Sequence, residues 1–77
     1  MALRFDLGGY LQRRQLTVAQ LFSELNGRVS ARTVQALVGR LTRRIDLQMV
    51  WEIMQGLNRL TGGSVRVDEL IVEVEES

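Results

Sequence analysis

Residues 17–38 read TVAQLFSELNGRVSARTVQALV, and the fold turns on how this stretch divides. Thr17-Val18-Ala19-Gln20 has the form of a capping box, in which a hydroxyl and an amide side chain satisfy each other's free backbone donors at a helix start. The helix it opens carries Ala19, Leu21, Phe22 and Leu25 as inward positions. Asn26-Gly27 stops it, since both residues tolerate the left-handed backbone of a helix end. Ser30 is the next N-cap. A second short helix, Ala31 to about Val38, then buries Val34 and Leu37 and turns Ala31, Arg32, Gln35 and Ala36 outward, and Gly39 ends it. Two short helices about a tight glycine-containing turn predict a helix-turn-helix, whose second helix enters the major groove of DNA.

Upstream, Asp6 caps a first helix with Leu7, Tyr10 and Leu11 on one face and Arg13 and Arg14 at its C-terminal end, where positive charge is favoured. Gly8 and Gly9 lower its propensity. Downstream, Arg40 to Arg44 form a basic loop, and Asp46 caps the longest helix, Leu47 to about Thr61. Leu47, Val50, Ile53, Met54, Leu57 and Leu60 recur at three- and four-residue spacing, an apolar stripe that must pack on other helices. Gly62-Gly63 breaks it. The segment Val67–Ile71 reads as one last short helical turn, while Ile71 to Glu75 alternates apolar and acidic residues, a pattern that also fits a short edge strand.

With 77 residues the chain reads as one small domain, its helix-turn-helix core at 17–38 and an acidic tail at about 72–77. It contains no cysteine and no histidine, which removes disulfides, thiolate metal sites and the commonest nucleophile–base pairs. Asp68, Glu69, Glu73, Glu75 and Glu76 cluster near the C-terminus, as in a solvated segment rather than an acid–base or metal site. Gly8-Gly9 and Gly62-Gly63 lack the strand–turn–helix setting of a phosphate-cradling loop. The expectation is a non-enzyme with no cofactor and no metal. No apolar run is long enough to span a bilayer and the start does not resemble a secretion signal, so a cytoplasmic place is expected, nucleoid-associated when bound to DNA. Charge is divided unevenly: through Arg44 eight arginines face Asp6 and Glu24, net +6, whereas from Ile45 onward two arginines face seven carboxylates, net −5. A basic half joined to an acidic half is expected where one face meets a polyanion. All ten basic residues are arginine, which suits bidentate contacts to phosphate or guanine.

The ordered pieces LQRRQLTVAQLFSEL (11–25), VSARTVQALVGR (29–40), RIDLQMVWEIMQGLNRLTG (44–62) and VRVDELI (65–71) resemble the phage-repressor and Cro-type helix-turn-helix family, also called the xenobiotic-response-element type. The resemblance implies an all-α, five-helix lambda-repressor-like domain with a short C-terminal tail. It implies a sequence-specific transcriptional regulator, a repressor acting on double-stranded DNA as a homodimer. By matching positions, Ala31, Arg32, Gln35 and Ala36 fall where the family reads bases. Thr17, Ser30, Thr33, Arg40, Arg43 and Arg44 fall where it holds phosphates, and Arg28 in the turn joins that set. The chain departs from the pattern in two places. Asn26-Gly27-Arg28 makes the turn roughly two residues longer than usual, and Val18 stands where a phosphate-contacting Gln is common.

Arg32 is the foremost candidate for a specific contact, because an arginine on the first exposed turn can donate twice to guanine O6 and N7. Met49 and Trp51 stand off the apolar stripe of the long helix. With Ile71, Val72 and Val74 they are candidates for a self-association surface, Trp51 having as its rival role a half-buried lid over the core. A different class of function also fits the charge split: a protein-interaction or antitoxin-like module on the same helical scaffold.

Overall fold

A computed structural model describes residues 2–63 and 65–75. The element order is β1 (Ala2–Phe5), α1 (Leu7–Arg13), α2 (Val18–Leu25), α3 (Ala31–Gly39), α4 (Leu47–Thr61), a 3-10 turn (Val67–Glu69) and β2 (Ile71–Val74). Each helix starts on a side-chain cap named by its residue type. Asp6 accepts from Gly9 N–H at 2.9 Å. Thr17 and Gln20 form both halves of a capping box, at 3.1 and 2.8 Å. Ser30 accepts from Thr33 N–H at 3.2 Å, and Asp46 from the N–H groups of Gln48 and Met49 at 2.7 and 3.3 Å. Asn26 (φ 54°) and Gly62 (φ 67°) take the left-handed cap conformation after α2 and α4.

The all-α, five-helix lambda-repressor-like expectation is corrected by this architecture: four α-helices accompany a two-stranded antiparallel sheet. Where a fifth helix was expected there is a three-residue 3-10 turn, after which the chain extends. β2 pairs with β1 in the register Ala2↔Val74, Leu3↔Glu73, Arg4↔Val72 and Phe5↔Ile71. The alternation of apolar and acidic residues at 71–75 is thus strand periodicity, and β-branched Ile71, Val72 and Val74 suit it. β1 carries too few residues to show a period of its own. Its strand form depends on partners far along the chain. Phe5 exchanges two backbone hydrogen bonds with Thr42, at 2.8 and 3.1 Å, and Asp6 N–H donates to Leu70 C=O at 2.6 Å. The two ends of the described chain and the loop between α3 and α4 are therefore stitched together beside the helices. Glu76 and Ser77 of the expected tail lie outside the described residues.

The core holds Leu7, Tyr10 and Leu11 of α1, Leu21 and Leu25 of α2, Val34 and Leu37 of α3, and Val50, Ile53 and Leu57 of α4, closed by Phe5, Val29, Val65 and Leu70. No charged residue among the described ones is buried. α2 packs mainly on α4, and Gly56 permits it: a Cβ there would stand 3.1 Å from Leu25 Cδ2 and 3.2 Å from Leu21 Cδ1. α1 packs on α3 through Gly8, whose Cα lies over the Val38 backbone. Three expected inward positions turn out otherwise. Ala19 and Phe22 are exposed on α2, because Val18 takes the flank of the core instead. Leu47, the first residue of α4, is 84% exposed.

Candidate nucleic-acid interface

The turn between α2 and α3 runs over residues 26–30. Asn26 and Gly27 both take positive φ, and Arg28 N–H donates to Leu25 C=O at 3.0 Å. Val29 then drops into the core, which anchors the start of α3 from below. Val34 and Leu37 hold its underside. What remains is an outer face of Ala31, Arg32, Gln35 and Ala36, all exposed. Alanine at two of these positions leaves no side-chain bulk to keep a groove floor away. Arginine and glutamine at the other two supply donors that can reach base edges.

Hydroxyls crowd the start of this helix. Ser30 Oγ accepts the Thr33 N–H and donates to Thr33 Oγ1 at 2.8 Å. Thr17, at the start of α2, is likewise committed to its cap, and its exposed hydroxyl stands by the free N–H groups of the first turn. Both helix starts thus offer backbone donors and the positive end of a helix dipole to an anion.

The arginines divide by what they touch. Arg28 lies 3.3 Å from Glu52, Arg59 lies 3.1 Å from Glu24, and Arg66 lies 3.3 Å from Asp68. Arg13 donates to Glu69 C=O at 3.0 Å, and Arg14 lies over the Tyr10 ring, 6.0 Å from its centre. Arg32, Arg40, Arg43 and Arg44 are exposed and form no ion pair with a described residue. Arg40, Arg43 and Arg44 border one shallow concavity with Leu41 and Thr42, held in shape by the Phe5–Thr42 bridge. Of the residues expected to hold phosphates, Arg28 therefore stands apart, engaged with an acid of α4. Arg40, Arg43 and Arg44 stay exposed on the loop, while the hydroxyls of Thr17, Ser30 and Thr33 are engaged at the starts of α2 and α3.

The expected self-association residues are dispersed. Met49 packs against the core and Trp51 is 51% exposed, lining a polar cleft with Arg28, Gln55 and Arg59. Ile71 faces an apolar groove, whereas Val72 and Val74 lie on the opposite face of the sheet by the alternation of side chains along a strand. Sequence reasoning missed that groove, whose apolar lining of Leu3, Phe5, Ile45, Leu47, Val50, Val67 and Ile71 is joined by Arg4, Thr42 and Arg43. No local pattern could have disclosed it, since its walls come from both ends of the chain and meet only through the strand pairing.

Among the described residues no group of three or more acidic side chains is placed to hold a metal ion, and no helix is long and apolar enough to cross a membrane. Compared with known proteins, the chain matches no family model, no curated protein and no solved structure.

Proposed function

We propose that this chain is a sequence-specific double-stranded DNA-binding transcriptional regulator, a repressor acting as a homodimer, with α3 seated in the major groove. One observation carries the reading. The outward face of α3 is small and polar and carries Arg32, the loop that follows α3 carries Arg40, Arg43 and Arg44, and no acid of the described chain pairs with any of these four arginines. Four unpaired guanidinium groups on one short stretch cost repulsion in the free protein that a polyanion would relieve. Arg32 and Gln35 would read base edges, Ala31 and Ala36 would let the helix approach, and Thr17, Ser30, Thr33, Arg40, Arg43 and Arg44 would hold phosphates.

The test is a fluorescence-anisotropy titration against generic duplex DNA at low and moderate salt, followed by selection of bound sequences from a random duplex library. Expected are binding at low salt, a steep loss of affinity as salt rises, and enrichment of a palindrome. Absence of binding at low salt would overturn the proposal and favour the protein-interaction or antitoxin-like alternative.

A further inference from the structure

The loop before α4 faces two ways. Thr42 and Arg43 belong to the arginine-lined concavity, and both also line the apolar groove between the sheet and the start of α4. On that side their neighbours include the buried Phe5 and Val50 and the exposed Leu3, Leu47 and Val67. The groove encloses about 160 Å³. A cavity of about 150 Å³ walled by aliphatic and aromatic side chains accommodates a benzene ring. A helix, roughly 10 Å across with its side chains, is too bulky for it. The size therefore selects a small apolar body.

The charge of the lining selects the other end of the ligand. Arg4 and Arg43 are its charged residues, both positive, and no described acid joins them. The acids nearby are occupied or set aside. Asp46 accepts from the N–H groups of Gln48 and Met49, and Asp68 lies 3.3 Å from Arg66. Glu73, opposite Leu3 in the strand register, is not part of the lining. Arg4 donates to Leu3 C=O at 2.9 Å, which ties its guanidinium to β1. Arg43 is exposed and forms no ion pair with a described residue, and its neighbour Thr42 is fixed by two backbone hydrogen bonds with Phe5. We propose that this groove binds a small amphiphilic carboxylate, with an aryl or short alkyl body against Phe5, Val50 and Leu47 and its carboxylate on Arg43. A guanidinium can hold a carboxylate by two parallel N–H···O bonds, which a neutral hydroxyl cannot match and an ammonium group opposes. Covering Leu3, Leu47 and Val67 removes apolar surface from water and supplies the rest of the affinity.

The site goes beyond the DNA-binding proposal and is measured without DNA, so either can fail alone. Phenylacetate, phenethyl alcohol and phenethylammonium share one ring and differ in charge. In an NMR titration of the full chain at neutral pH, phenylacetate should shift the backbone amides of Leu3, Thr42 and Leu47 saturably, with millimolar or tighter affinity. Phenethyl alcohol should bind about fivefold more weakly, and phenethylammonium more weakly still. Arg43→Gln changes an exposed side chain and leaves the core untouched. It should lower the affinity for phenylacetate by about fivefold and leave that for the alcohol as it was. Leu47→Ala should weaken both. One consequence rests on the DNA-binding reading: a carboxylate on Arg43 competes with a phosphate there, so phenylacetate should weaken duplex binding by wild type and not by Arg43→Gln. Phenylacetate that fails to bind, binds no better than the alcohol, or binds folded Arg43→Gln as tightly as wild type would overturn the proposal. A chain that binds phenylacetate through Arg43 and no duplex DNA would overturn the DNA-binding reading alone.

Discussion

At the scale of single residues, the fold is least forgiving where a backbone stands in for a side chain. Gly8 is such a place. A Cβ there would fall well inside contact distance of the Val38 carbonyl oxygen, and a carbonyl within α3 cannot swing aside as a side-chain tip can. The two helices would have to part, and overpacking of this kind costs about 1–3 kcal/mol. Gly39 offers the opposite case. It is the last residue of α3, its backbone is not in the left-handed region, and nothing lies within 4 Å of the position its Cβ would take. Gly39→Ala should therefore raise stability by up to about 1 kcal/mol, through helix propensity and a less flexible unfolded chain. Thermal unfolding of the two variants should move in opposite directions. A Gly8→Ala protein as stable as wild type would mean that α1 and α3 do not approach as closely as described.

At the scale of elements, the helices were legible because each announces its own beginning. Asp6, Thr17, Ser30 and Asp46 all act as the caps their residue types suggest, and Asn26 and Gly62 take the expected left-handed turns. The outward face of α3 was legible for the same local reason. The sheet was not. β1 is defined by Val72, Val74 and Thr42, which lie far away along the chain, so its four residues carry no signal that a helix-period reading could detect. The exposure of Leu47 was hidden likewise, because periodicity gives the face of a helix but not what lies against each position on it. The caps also yield a prediction that joins stability to function. Ser30 is the sole side-chain cap of α3, and its hydroxyl also holds Thr33. Ser30→Ala should cost about 1 kcal/mol of stability. It should lower DNA affinity more than that loss explains, since the first turn that carries Arg32 would fray. Equal affinity in a demonstrably less stable Ser30→Ala protein would separate the cap from the binding surface.

At the scale of the whole molecule, the question is whether the uneven charge acts by its total or by its placement. The described chain answers one of its arginines with a carboxylate on α2 and leaves others open on the loop before α4. Arg59 is paired with Glu24, whereas Arg44 is exposed with no described acid beside it. Replacing either by alanine removes the same unit of positive charge. If DNA were held by net charge alone, both variants would lose affinity alike. If it is held by counterion release at specific phosphates, each lost contact should reduce the slope of log affinity against log salt by about 0.9 per half-site, and a charge that touches no phosphate should leave the slope as it was. Anisotropy titrations of one duplex over a series of salt concentrations should therefore find a shallower slope for Arg44→Ala and an unaltered slope for Arg59→Ala. The Arg44 loss should be nearly uniform across duplex sequences, whereas Arg32→Ala should narrow the difference between the selected site and generic duplex. Slopes that fall equally for Arg44 and Arg59 would assign the binding to bulk charge and remove the loop between α3 and α4 from the interface.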